Sequence, residues 1–207
     1  MPNDYINTIA GPDKAVQALF SDKAFNALLP VELRKQDAAF FTPAHIALKA
    51  AQWLTAGTYR RVLDIGAGAG KFCVAGAIYG NGFFYGIEHR ASLVSIANKI
   101  IAHYKLQNAV VNEGNIASVS FSDYDAFYLY NPFEENLRIE DKLNDEIQLS
   151  AELYCANIDY TRNQLDLARE GARLVTYHGW GDKAVPQSFS CIKSLFNEDL
   201  KFWVKEK

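Results

Sequence analysis

The stretch Val62-Leu63-Asp64-Ile65-Gly66-Ala67-Gly68-Ala69-Gly70 constrains the fold more than any other part of the chain. An apolar run containing one acid ends, and glycine then takes every second position. Such a segment reads as a buried strand that turns sharply into a helix over bare backbone. Glycine is needed where φ is left-handed, or where a Cβ would push away a ligand lying against the chain. Ordering three glycines costs more entropy than a plain turn requires, so this loop is expected to face a ligand.

Strands and helices alternate on from there. Arg61 to Ile65 reads as a strand, Lys71 to Tyr79 as a helix and Phe83 to Glu88 as a second strand. Ser92 to Tyr104 carries Leu93, Ile96, Ala97, Ile100 and Ile101 at helical spacing, with Ser92 as N-cap. Ala109 to Asn112, Asp125 to Tyr130 and Arg173 to His178 read as further strands, with a long helix over about Ser150 to Glu170. The alternation predicts a three-layer α/β sandwich around a mostly parallel sheet. The tail differs: Ser188 to Leu195 and Leu200 to Lys205 are joined by Phe196-Asn197-Glu198-Asp199, and so short a connection makes the pair antiparallel. Before residue 58 the chain lacks strand alternation and reads as helical. One candidate helix includes Ala15, Leu19 and Phe20; another runs from Pro43 to about Leu54, with Thr42 as N-cap and Pro43 in its first turn. The expected organisation is a helical extension over residues 1–57 packed on a main domain over 58–207.

Composition bounds the function. The 207 residues are 49% hydrophobic and 22% charged, with a formal net charge of −3. That balance gives no general attraction to phosphate backbones or anionic membranes. Cys73, Cys155 and Cys191 form no CxxC pair, so no metal site or disulfide framework is expected. Met1-Pro2-Asn3-Asp4 lacks a signal-peptide pattern and no apolar run is long enough to span a bilayer, so the reading is a cytoplasmic protein.

The glycine loop with the closing antiparallel hairpin resembles the class I S-adenosylmethionine-dependent methyltransferases over about residues 40 to 207. In that family the seventh strand inserts antiparallel between the fifth and sixth, giving a seven-stranded Rossmann-like sheet. The resemblance implies S-adenosyl-L-methionine as cofactor. Gly66, Ala67, Gly68 and Gly70 would form its cradle, and Asp64 would accept from its ammonium group. Glu88 ends the second strand, where an acid accepts from both ribose hydroxyls, and His89 beside it could stack on adenine. Asn115 and Ile116 stand where relatives hold the adenine, with Asn115 in the place of a common Asp. A dinucleotide-binding oxidoreductase is the alternative, but Lys71 occupies the place of the third glycine in GxGxxG.

Tyr130-Asn131-Pro132-Phe133 ends the fourth strand, on the expected methyl-transfer side. It is similar to the [DN]-P-P-[FYW] motif of amino-group methyltransferases, with one proline in place of two. By that likeness Asn131 and the Pro132 carbonyl orient a target nitrogen and Tyr130 flanks it, while Asn131 also borders the cofactor. Phe41-Thr42-Pro43 is similar to a segment of DNA adenine methyltransferases whose Thr helps to hold the methionine end, which makes Thr42 a cofactor candidate as well as a cap. The glycine loop and Gly86-Ile87-Glu88 also have a local likeness to histone lysine methyltransferases. Glu134, Tyr130 and His178 are candidate proton acceptors. Glu134 and Glu135 would repel phosphate and suit a protein or small-molecule amine, so a nucleic-acid substrate is the alternative.

Overall fold

The computed structural model describes residues 20–138, 140, 142–178 and 184–206. The expected helix through Ala15 and Leu19 falls largely outside them. Short helices α1 (Asp22–Leu28), α2 (Val31–Arg34) and α3 (Asp37–Phe40) lead to α4 (Ala44–Leu54). The main run then follows: β1 (Arg60–Ile65), α5 (Lys71–Tyr79), β2 (Gly82–Glu88), α6 (Ala91–His103), β3 (Ala109–Glu113), β4 (Ala126–Tyr130), α7 (Ala151–Asp166), β5 (Arg173–Tyr177), β6 (Phe189–Leu195) and β7 (Leu200–Lys205).

These strands form one sheet of seven in the order β3-β2-β1-β4-β5-β7-β6. β1 runs parallel to β2 and β4, with Asp64 level with Gly86 and Tyr128. β7 is antiparallel to both β5 and β6. The hairpin turn places Phe196, Asn197 and Glu198 in succession at left-handed φ of 53, 53 and 72°.

Alternate residues of each strand supply two cores. On one face Val62, Phe84, Val111, Tyr128 and Phe202 pack with α4, α5 and α6. On the other, Leu63, Ile65, Phe127, Leu129 and Trp203 pack with Leu165 and Ala168, at and just beyond the end of α7. The β3 to β4 crossover on that face holds two 3-10 turns, Ile116–Ser118 and Phe121–Asp123.

Two predicted helix starts are corrected. Pro43, not Thr42, is the N-cap of α4, and it offers no side-chain bond. The Ala44 amide donates instead to Asp22 Oδ1 at 2.8 Å, so α1 caps α4 through space. Thr42 is buried, its hydroxyl 3.0 Å from that of Tyr128. Arg90, not Ser92, is the N-cap of α6. Ser92 lies one residue inside, and its amide and hydroxyl both donate to Glu146. Ser150 caps α7, accepting from the Leu153 amide at 3.2 Å.

Candidate functional site

The glycine loop lies at the carboxyl ends of the central parallel strands, where open α/β sheets bind ligands. Gly66, Gly68 and Gly70 have φ of 75, 55 and 77°. The amides of Gly66 and Ala67 both donate to the Ile87 carbonyl at 3.0 Å, tying the loop to the end of β2. The three glycines are bare for different reasons. A Cβ on Gly66 would lie 2.6 Å from Pro132 Cβ, so the loop after β4 packs directly on the cradle. One on Gly68 would meet the Phe41 ring at 3.2 Å. One on Gly70 would strike Ala97 of α6 at 2.9 Å. Gly70, expected to touch a ligand, is thus required by helix packing.

Gly66 and Gly68 form part of the wall of a cleft of about 930 Å³, its open mouth included. Glu88, His89, Asn115, Ile116, Tyr130, Asn131 and Pro132 line the same cleft, so nine of the residues singled out from sequence converge there. Asp64, Ala67 and Thr42 line a small annex behind it, with Lys71 and Tyr128. A second open cleft adjoins through shared walls: Phe40, Tyr130, Asn131 and Glu135 border both. Gln36, Glu134, Arg138 and His178 complete much of the second one. Asn131 stands at the junction with φ of 40°, a conformation Asn adopts more readily than most residues.

Glu88 is buried and accepts from two backbone amides, Gly68 N on Oε2 and Arg90 N on Oε1, each at 2.9 Å. Burial raises its pKa, and the amide bonds oppose that shift. The carboxylate, with about four acceptor sites, retains capacity for a further donor. Asn115 Oδ1 accepts from the Ala117 amide at 2.9 Å, which fixes the turn that carries Ile116.

Asp64 is 4% exposed. Burial pushes its pKa up to about 8; the Cys73 thiol, donating to Oδ2 at 3.5 Å, pulls the other way, and the Glu88 charge adds to the rise. A carboxyl whose folded pKa lies above its unfolded value binds more protons when folded. Its cost is absent at acid pH and grows as pH rises from about 4, where the unfolded group ionises, to about 8. Asp64→Asn should therefore melt higher than the parent at pH 8.5 by roughly 4 °C or more, with the gap closing toward pH 4. A gap independent of pH would show that Asp64 titrates normally.

Sequence reasoning missed the roof. Leu143, Ile147, Gln148 and Leu149, from the irregular segment before α7, line the main cleft. Arg90, 6% exposed, holds this segment: it donates to Asn144 Oδ1 at 2.9 Å and pairs with Glu135. Glu135 Oε1 in turn accepts from the Leu143 amide at 3.2 Å. No periodicity marks such a segment. The one local signal is Arg90 itself, a cation two residues past the acid that ends β2. The acids of the second cleft are also less free than they read. Glu134 pairs with Arg138 at 3.1 Å and Glu135 with Arg90.

Residues 58–134 match the family model of a methyltransferase domain. No curated protein matches the sequence. Among solved structures, the chain is 19% identical to TrmN from Thermus thermophilus, covering 86% of this chain and 53% of that one with a TM-score of 0.56. It is 10% identical to the ribosomal protein L11 methylase from Lactobacillus delbrueckii subsp. bulgaricus, covering 79% and 78% with a TM-score of 0.56. At these identities the likeness is one of fold. The chain spans about half the length of several structures it matches. Among the described residues no helix is long and apolar enough to cross a membrane. The sheet order with its inserted antiparallel strand and the glycine cradle beneath an open cleft agree with these matches: residues 58–134 carry a methyltransferase domain, on the Rossmann-like fold of the methyltransferase structures it resembles.

Proposed function

We propose that this chain transfers a methyl group from S-adenosylmethionine to a nitrogen of a protein or small-molecule substrate. The observation that carries the reading is the junction of the two clefts at Tyr130 and Asn131. One cleft holds the glycine cradle and the acid of β2; the other is open and reaches the same two residues from outside. Two reactants entering separately meet there, which is the geometry that proximity catalysis of group transfer needs.

The residues fit the cofactor. Gly66, Ala67 and Gly68 would lie along the cofactor as bare or small backbone. Glu88 would accept from the ribose hydroxyls while keeping its amide bonds. His89, Asn115 and Ile116 would border the adenine. The annex would take the amino-acid end, with Asp64 there to accept from the ammonium and Thr42 beside it. Once bound, the sulfonium supplies an electrophilic methyl carbon. Asn131 and the carbonyl of Pro132 orient the acceptor nitrogen toward it, with Tyr130 alongside. Orientation supplies most of the rate in this scheme.

S-adenosylhomocysteine should stabilise the protein in proportion to the logarithm of its concentration, as linkage requires. Calorimetry should show one site, and radiolabelled S-adenosylmethionine offered to fractionated cell extract should label protein or small molecules. Label confined to nucleic acid would move the acceptor to the alternative class. Binding of NAD but not of S-adenosylhomocysteine would overturn the reading altogether.

A further inference from the structure

Resting on the methyltransferase reading, we propose that His178, oriented by Asp199, takes the proton from an acceptor that arrives as an ammonium ion. His178 is the first residue after β5 and forms part of the wall of the second cleft, the one that also holds Tyr130 and Asn131. Its Nδ1 lies 3.2 Å from Asp199 Oδ1, and its backbone amide donates to the Asp199 carbonyl at 2.9 Å. Two contacts thus fix one residue against the other. Asp199 is the last residue of the hairpin turn whose three preceding residues are all left-handed, and His178 itself has φ of 47°. The left-handed backbone at His178 and in the turn before Asp199 is held in place by the antiparallel pairing of β5 with β7, in which Tyr177 is level with Leu200.

The chemistry follows from the contact with Asp199. A carboxylate beside Nδ1 favours the proton on that nitrogen and leaves Nε2 as the acceptor. The Tyr177 ring centroid lies 4.2 Å away and that of Tyr130 6.1 Å, which limits where the imidazole can swing. The charged groups that share the cleft are Glu134, Glu135, Arg138, Glu140 and Lys142, from the segment after β4, with Gln36 opposite. A base beside this junction matters most for an acceptor that must lose a proton before it can attack. A primary amine is such a group near neutral pH; an amide or exocyclic amino group is already neutral. The ammonium gives one proton to Nε2, and the freed lone pair attacks the methyl carbon. The C–N bond forms as the C–S bond breaks, its electron pair staying on sulfur. The product leaves as a methylammonium, and His178 passes its proton to solvent.

The test uses the full chain, N-acetyl-lysine amide and poly-L-lysine as probe acceptors, and the variants His178→Gln and Asp199→Asn. The parent should methylate at least one probe. His178→Gln should lose about a hundredfold in kcat at neutral pH, within the range for a lost general base. That loss should shrink about tenfold per pH unit on the alkaline side, as the probe deprotonates by itself. Asp199→Asn should show a smaller loss, and its ring ¹⁵N spectrum should lose the Nδ1–H preference that the parent shows. S-adenosylhomocysteine affinity should stay unchanged in both. A kcat unaffected by His178→Gln, or a loss that does not vary with pH, overturns the proton role. Cofactor binding without methylation of either amine overturns the ammonium acceptor. Failure to bind S-adenosylhomocysteine at all is a different result, and it removes the underlying methyltransferase reading instead.

Discussion

Gly68→Val should give a folded protein that no longer binds S-adenosylhomocysteine. The residue sits at φ of 55°, where a β-branched side chain is strained, and its Cβ would already press on the Phe41 ring at 3.2 Å. The two γ-carbons extend further, into a cleft that both Gly68 and Phe41 line. The Gly68 amide also fixes Glu88, so a shifted loop misplaces the proposed ribose acceptor as well. Calorimetry at millimolar ligand should detect no binding, while circular dichroism keeps the parent spectrum and melting stays cooperative. Gly70→Ala is the informative contrast. Its clash is with Ala97 of α6, so it should lower the melting temperature more than it changes affinity. Parent-like affinity in Gly68→Val would mean that the ligand lies elsewhere.

Asn131→Ala should cut turnover about tenfold to a thousandfold while leaving S-adenosylhomocysteine affinity near that of the parent. The range is about 1.4 to 4 kcal/mol at 1.4 kcal/mol per decade, as expected when a contact made mainly in the transition state is lost. An orienting contact of that kind lowers kcat together with kcat/KM. The left-handed φ of 40° complicates alanine, which disfavours that region. Asn131→Gly separates the two effects, because glycine accepts the backbone and still lacks the amide. Equal losses in both variants assign the effect to the side chain. Recovery in the glycine variant assigns it to the turn, and the nitrogen-orienting role would then fall.

Much of this architecture is legible in the sequence because the signals are local. The apolar run before Gly66, the alternating glycines and the short turn before Leu200 each act through neighbouring residues, and they fix the strand–loop–helix unit and the closing hairpin. The cleft residues Glu88 and Asn131 are legible because they end strands, and strand ends meet at one edge of a parallel sheet. What is not legible depends on contacts across space. Asp22 caps α4 from a distance of 22 residues, so the local Thr42-Pro43 pattern points to the wrong cap. Glu146 satisfies the start of α6 from 54 residues away, so Ser92 is not needed as the N-cap. The connection between β3 and β4 likewise rests on turns held by Asn115 and, from 43 residues away, by the Gln164 side chain, which accepts from the Phe121 amide. Gly70 shows the same limit within the best motif of the chain. The pattern identifies where a side chain is forbidden, and only packing shows whether a ligand or a helix forbids it.

Helix α7 is anchored lightly for its length. Of its sixteen residues only Thr161 and Leu165 are fully buried, whereas α4 buries eight of eleven. It nevertheless supplies Leu153 and Asn157 to the wall of the main cleft. Elements with so little buried surface open at a fraction of the global unfolding free energy. One side of the cleft is therefore held less firmly than the α4 side, and any opening of α7 would set how much of the protein is ready to bind. A ligand that touches that wall favours the closed population, and closure raises affinity by the same factor. Occupancy of the cleft and order in α7 are two readings of one equilibrium.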